Sequence, residues 1–182
     1  MRASKEQLLL SEWACLGILY PAPMHGFAVA ARLKPDGDIG RVWSLSRALT
    51  YRSLEQLTGR GMIRPVGEEP GLAGGNRTIL AATRTGRAQL REWVRAPVLH
   101  LRDVRSELLL KLVIAESCAI DLADMLDLQR VLIADLAQAL VPPANESQPV
   151  DVVALWRSES AQAALRFLDR VHRRARTELA SR

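Results

Sequence analysis

The sequence predicts a mainly α-helical chain with one small β-hairpin, a mixed first half and an all-helical remainder. Three observations carry that expectation. Apolar residues recur at helical spacing through most of the 182 residues. A glycine-rich stretch containing Gly71, Gly74 and Gly75 separates two short extended segments. Charge is uneven along the chain. Residues 1–100 hold 14 basic and 8 acidic residues, residues 101–160 hold 5 and 10, and residues 161–182 hold 6 and 2.

The first helix is expected from Glu12 to about Tyr20, capped by Ser11, with Trp13, Leu16 and Leu19 as its apolar stripe. Pro21, Pro23 and Gly26 mark a turn, with His25 ordering it. A short second helix, Phe27 to Leu33, would bury Phe27, Ala30 and Leu33. Pro35, Gly37 and Gly40 end it, Arg41–Trp43 reads as extended, and Ser46 is the next cap. The third helix, Arg47 to about Arg60, is two-faced: Thr50, Leu54 and Leu57 point one way, Ala48, Arg52, Glu55, Gln56 and Gly59 the other. Gly61 stops it. Met62–Val66 and Arg77–Thr83 read as the strands of the hairpin, with 67–76 as a long loop. Thr83 caps a helix from Arg84 to Arg95 carrying Leu90, Trp93 and Val94, and Pro97 breaks it. Helices are then expected over Arg102–Cys118, Leu122–Leu140 and Asp151–Ala180, with a proline-rich loop around Pro142, Pro143 and Pro149. Three helices, a hairpin and a helix are the order of a winged helix-turn-helix on residues 1–100. Residues 101–182 form a C-terminal antiparallel helical arm.

Composition narrows the function. With 48% hydrophobic residues the chain can bury a core, so general disorder is unlikely to describe it. Apolar stretches such as Leu8–Leu10 and Leu108–Leu110 are far short of the roughly 20 residues of a spanning helix. No N-terminal signal is visible, and Cys15 and Cys118 match no metal spacing, so a reduced, cytoplasmic protein without a membrane partner is expected. The histidines at 25, 100 and 172 lie in separate segments, without a carboxylate or thiol at ligand or triad spacing. No phosphate-binding glycine loop opens a helix. The sequence therefore predicts no enzyme, no cofactor and no metal. At 4% aromatic residues, single-strand binding by base stacking is disfavoured.

A net-basic first half in which arginine outnumbers lysine suits a polyanion, since the planar guanidinium fork meets phosphate or guanine with two parallel bonds. In this architecture the third helix enters the major groove with its N-terminal residues near the base edges. Ser46, Arg47, Leu49, Tyr51 and Arg52 are the candidates there, Leu49 for a thymine methyl. On the wing, Asn76 and Arg77 can meet phosphate or the minor groove, and Glu68 and Glu69 are expected to lie away from the duplex. In the arm, Leu126, Ile133, Leu136 and Leu140 on one helix and Leu165, Leu168 and Val171 on the next form apolar stripes that can pack on each other in a compact monomer or against a twin subunit, and dimerisation is the favoured reading. Arg170, Arg173, Arg174 and Arg176 are expected to pair with Asp121, Asp124, Asp127 and Asp135, within a chain or across the dimer. Trp93 and Trp156 are candidates for a small aromatic or amphipathic effector near the junction of the two halves, against a plainer role in core packing.

Several of these segments resemble the PadR family of bacterial transcriptional regulators. Leu16-Gly17-Ile18-Leu19 with Pro23-Met24-His25-Gly26-Phe27 is similar to that family's first helix and His-Gly-aromatic turn. Ser46 through Tyr51-Arg52, Leu54, Leu57 and Gly61-Met62-Ile63 resemble its recognition helix and first wing strand, and Thr83, Gly86, Leu90 and Trp93 the helix after the wing. Arg105-Ser106-Glu107-Leu108 with Lys111-Leu112, and Leu155-Trp156 leading to Phe167-Leu168-Asp169, resemble the longer C-terminal region of its virulence-activator-like branch. Two departures stand out: Arg47-Ala48-Leu49-Thr50 replaces the frequent Pro-Gly-Thr-Leu, and Phe27 replaces the common tyrosine.

The resemblance implies a homodimeric regulator of double-stranded DNA, usually a repressor on a palindromic operator, sometimes released by a small-molecule effector. The competing reading from the residues alone is a winged-helix protein-interaction module that does not bind DNA.

Overall fold

A computed structural model describes residues 7–71, 75–140 and 151–180, the last six of these as backbone. The chain divides into two compact units, Met1–Val94 with Leu109–Ile120, and Arg95–Leu108 with Asp121–Arg182.

The first unit is built on α1 (Leu10–Leu19), whose residues from Ser11 onward are all buried. Its N-terminus is closed by Glu12 rather than by Ser11: the Glu12 carboxylate reaches back one turn and accepts from the Leu9 N–H at 2.6 Å. The turn expected at residues 21–26 contains a two-residue strand, β1 (Met24–His25), followed by α2 (Gly26–Arg32). His25 caps α2 by accepting from the Ala28 N–H through Nδ1 at 2.9 Å. Phe27 is 49% exposed instead of buried, because in the first turn of this short helix it projects from the unit's surface. Residues 41–43 form a turn, not an extended piece.

Helix α3 (Arg47–Gly59) buries Thr50, Ser53, Leu54 and Leu57, the face its periodicity specifies. Gly61 ends it at φ +67, a left-handed conformation that favours glycine. Strands β2 (Ile63–Pro70) and β3 (Asn76–Ala82) make the hairpin, so five of the residues expected in the loop, 67–70 and Asn76, are strand instead. The sheet order is β1-β3-β2, antiparallel throughout, with a bulge between Pro65 and Gly67. As an edge strand β2 tolerates its two prolines, which have no N–H to give a ladder. Gly74 lies outside the described residues; Gly71 and Gly75 close the end of the hairpin by a 2.7 Å backbone hydrogen bond.

Helix α4 (Arg84–Arg95) starts at Thr83, whose hydroxyl accepts from the Gly86 N–H at 3.0 Å. A Cβ on Gly86 would lie 2.2 Å from the Met62 carbonyl oxygen, so this approach of helix to hairpin requires glycine. Trp93 stacks on Trp13, centroids 4.8 Å apart and planes within 8°. The buried Lys111 ammonium lies 5.0 Å from the Trp93 ring centre. Lys111 belongs to α5 (Leu109–Ser117), which packs into the first unit because α1 offers Gly17 where a Cβ would lie 2.6 Å from Ile114 Cδ1. Packing thus puts residues 109–120 with the winged helix, although the sequence alone suggests a division at 100/101.

In the second unit the expected helix from Arg102 opens as a 3₁₀ turn (Leu101–Asp103) and a π-helical turn (Val104–Leu108). The fully buried Gln129 amide bonds both the N–H and the C=O of Val98, at 2.7 and 3.0 Å. Helices α6 (Ala123–Ala139) and α7 (Val152–Ala180) pack together. The pairs Arg130–Asp169 and His172–Asp127 step in opposite directions along them, so they run antiparallel. Their shared core holds Met125, Leu126 and Ile133 from α6 and Ala161, Ala164 and Leu168 from α7. The expected loop at 141–150 lies outside the described residues.

Candidate nucleic-acid interface

The exposed side of α3 carries the residues that sequence reasoning singled out. Ser46, Arg47, Leu49, Tyr51 and Arg52 are all exposed. Ser46 is the helix cap: its Oγ accepts from the Leu49 N–H at 3.2 Å, and its carbonyl accepts from the Thr50 hydroxyl at 3.0 Å. The cap fixes the chain direction into the helix, and Arg47 follows as the first helical residue.

Arg47 does not stand alone. Its guanidinium carbon lies 5.5 Å from the Phe27 ring centre and 5.7 Å from that of Tyr51. From the wing, the Arg77 guanidinium carbon lies 5.8 Å from the same Phe27 ring. These distances fall within the range over which an aromatic quadrupole attracts a cation. Gly26 permits the arrangement, since a Cβ there would sit 3.0 Å from Tyr51 Cε1. Arg47, Tyr51 and Arg77, thirty residues apart at the extremes, therefore meet around Phe27. Sequence reasoning placed Phe27 in the core and missed it. The available signal was its position directly after the His25–Gly26 turn, at the head of a helix too short to bury a full stripe.

The wing carboxylates do not lie away from the candidate residues. Asn76 Nδ2 donates to Glu68 Oε2 at 2.8 Å, and Glu69 Oε1 lies 3.1 Å from His25 Nε2. With His25 Nδ1 accepting from Ala28, the neutral ring carries its proton on Nε2 and donates it to Glu69. Arg77 Nη1 lies 3.5 Å from the same nitrogen. Glu69 and Arg77 are also register partners across the hairpin, which explains the crowding. Arg52 and Leu49 share the exposed face of α3 but are outside this cluster.

The seven residues named for dimerisation are divided by burial. Leu126, Ile133 and Leu168 are buried within one chain, and Leu136, Leu140, Leu165 and Val171 are half-buried. Periodicity correctly marked the apolar stripes, but α6 and α7 cover each other with them. Among the described residues, Leu128, Val131, Val152, Val153, Leu155 and Trp156 are the large apolar side chains exposed on these helices. Two ion pairs join α6 and α7 in the described residues. Arg130 donates to Asp169 at 2.5 Å and His172 meets Asp127 at 3.2 Å. The Arg130 hydrogen bond holds the Asp169 carboxyl below its ordinary range and, reciprocally, raises Arg130. The side chain of Arg176 lies outside the described residues.

Trp93 is buried in the first unit against Trp13, whereas Trp156 is 71% exposed on α7 of the second, so core packing within the chain describes only the former. Burial, with the Glu12 charge, pushes the Cys15 thiol up to about 12, and burial raises Cys118 as well. Among the described residues no three His, Cys, Asp or Glu side chains are grouped to hold a metal ion, and no helix is long and apolar enough to cross a membrane.

No family model matches the chain, and no curated protein matches it. Solved structures do. Bacillus subtilis PadR in complex with operator DNA is 17% identical, covering 91% of this chain and 99% of that one at a TM-score of 0.48. The same protein with p-coumaric acid is 19% identical over 90% and 97%, at 0.44. The Vibrio cholerae virulence activator AphA is 20% identical over 94% and 96%, at 0.39. The chain is similar to these regulators along most of its length, and its own element order is that of a winged helix-turn-helix followed by an antiparallel helical arm.

Proposed function

We propose that this chain is a sequence-specific DNA-binding transcriptional regulator, acting as a homodimeric repressor on a palindromic operator. One observation carries the reading: the exposed face of α3 and the wing bring Arg47 and Arg77 to a common place, with Arg52 and Leu49 on the same helix. With α3 in the major groove, an arginine fork can meet guanine O6 and N7, and Leu49 a thymine methyl. Arg77 then serves the backbone or minor groove from the wing. Residues 1–100 bind DNA in this reading and residues 101–182 dimerise, the copies joining through exposed apolar positions such as Leu128, Val131, Val152 and Val153 on the arm. Two heads are required because a single winged helix reads only a few base pairs. Their half-sites lie about 34–36 Å apart or a multiple of that. A small aromatic or amphipathic effector would meet Trp156, since Trp93 is closed by Trp13 and Lys111.

The second reading, a protein-interaction module, is favoured by one observation, the carboxylates of Glu68 and Glu69 on the wing. A salt series separates the two. The full chain is titrated onto duplex from upstream of its own gene and onto random duplex, and the site is then footprinted. DNA binding predicts affinity falling steeply with salt and a symmetric footprint. Arg52→Ala or Arg77→Ala should each weaken binding, by about 1–3 kcal/mol with relaxed specificity for a guanine contact, or with a salt slope lower by about one for a phosphate contact. Full-length protein that binds no duplex, or both variants binding like wild type with melting unchanged, refutes the reading.

A further inference from the structure

Phe27 is a large apolar side chain half in water, and its ring neighbours include two cations from different elements. Among the described residues no carboxylate pairs with Arg47; its close partners are the Phe27 and Tyr51 rings. Two guanidiniums around one ring repel each other. The negative face of the ring offsets part of that repulsion, and an incoming anion would relieve the rest.

We infer that Phe27 is a positioning residue for DNA: its ring is a shared platform that orients Arg47 of α3 and Arg77 of the wing before the duplex arrives. The inference rests on the DNA-binding reading above. An arginine on open surface samples many rotamers and loses that freedom on binding, so one already held against a ring loses less. The platform is itself anchored from three sides. His25 caps α2 through Nδ1 and holds Glu69 of β2 through Nε2. His25 also pairs with Ile79 in β3, two residues beyond Arg77. Gly26 lets the Tyr51 ring close on the head of α2. The spacing between helix and wing is thereby set at residues 25–27, without either arginine pairing the other's element directly.

The test uses the full chain with Phe27→Leu, which keeps apolar bulk and removes the ring, and Phe27→Tyr, which keeps it. In the free protein, NMR should show ring-current displacement of the Arg47 and Arg77 side-chain signals in wild type and F27Y; in F27L it should be lost for Arg77 and reduced for Arg47, which keeps the Tyr51 ring. On the footprinted duplex, F27L should bind about two- to fivefold more weakly, the scale of an exposed cation–π contact, while F27Y binds like wild type. Added to Arg47→Ala/Arg77→Ala, F27L should have no further effect, which a purely structural role would not produce. F27L binding as tightly as wild type overturns the inference while leaving the DNA reading intact, as does an undiminished effect of F27L in the double-arginine variant. Wild type that binds no duplex overturns the DNA reading itself, and the inference with it.

Discussion

Leu168 and Val131 are both aliphatic residues of the arm, and their environments assign them opposite roles. Leu168 is 1% exposed between α6 and α7, whereas Val131 is 54% exposed on α6. Leu168→Ala leaves a cavity whose neighbours on α7, Ala161 and Ala164, are too small to fill it, so the cost should fall in the upper part of the range of about 2–5 kcal/mol. Val131→Glu changes a side chain already half in water and should alter the stability of a single chain by no more than about 0.5 kcal/mol. At a dimer contact the order reverses, because V131E would bury an unpaired charge. Urea unfolding at two protein concentrations, with light scattering at each, separates the effects, since only an association-linked term depends on concentration. The expected result is L168A destabilised at every concentration, and V131E monomeric with an unchanged concentration-independent term. An L168A variant as stable as wild type would refute the intrachain seam; V131E that still dimerises with wild-type affinity would remove Val131 from the interface. Deleting α7 is a poor substitute, because it would uncover Leu126 and Ile133.

Glu68→Gln keeps an acceptor for Asn76 but removes a charge from the wing, so affinity for random duplex should rise by about two- to fivefold at low salt and converge with wild type at high salt; an unchanged salt profile would place Glu68 off the DNA. The Arg32 hydrogen bond holds the Asp38 carboxyl below the ordinary carboxylate range. Its stabilisation is therefore present above about pH 4 and lost as pH falls through the lowered folded value, and Asp38→Asn should remove that part of the acid limb in a pH series of thermal melts. Exposure limits the effect to less than about 1 kcal/mol. Ala119, at φ 51, follows α5 in a left-handed conformation, with Ile120 N–H bonded to the Ala115 carbonyl at 2.9 Å. Ala119→Gly should raise stability by about 0.5–1 kcal/mol in denaturant unfolding.

What was legible in the sequence depended on how many residues repeated a signal. Helix α3 shows three and a half turns of alternating faces, and Thr50, Leu54 and Leu57 are buried as the periodicity requires. Helix α2 has seven residues, too few for a period to place Phe27, and β1 has two residues and leaves no pattern at all. Gly67, Glu68, Glu69 and Pro70 have loop composition, yet an exposed edge strand needs only a partner on one side. The α1 cap moved from Ser11 to Glu12 because either residue can satisfy a free N–H, and the longer side chain reached back to Leu9. In the arm, the apolar stripes were correctly read, but periodicity marks a face that is covered and is silent about what covers it. The same applies to α5, whose docking depends on the missing side chain of Gly17, a contact with no local signature.

In the DNA-binding reading proposed above, the wing acids and the α3 arginines act on different parts of recognition. Non-specific binding is a sum of phosphate contacts and follows net local charge, so Glu68 and Glu69 lower it wherever the wing meets a backbone. Specific binding adds base contacts that depend on the placement of Arg47, Arg52 and Leu49, which a carboxylate on the wing does not touch. In that reading, negative charge on the wing weakens the phosphate contribution common to both, so it lowers the affinities for operator and random sequence by the same factor. Discrimination against a large excess of non-specific sites then rests on the base contacts of Arg47, Arg52 and Leu49, not on the wing charge. The net-negative stretch 101–160 would, in the same reading, repel the duplex and leave the arm surface with exposed Leu128 and Val131 for the second copy proposed above.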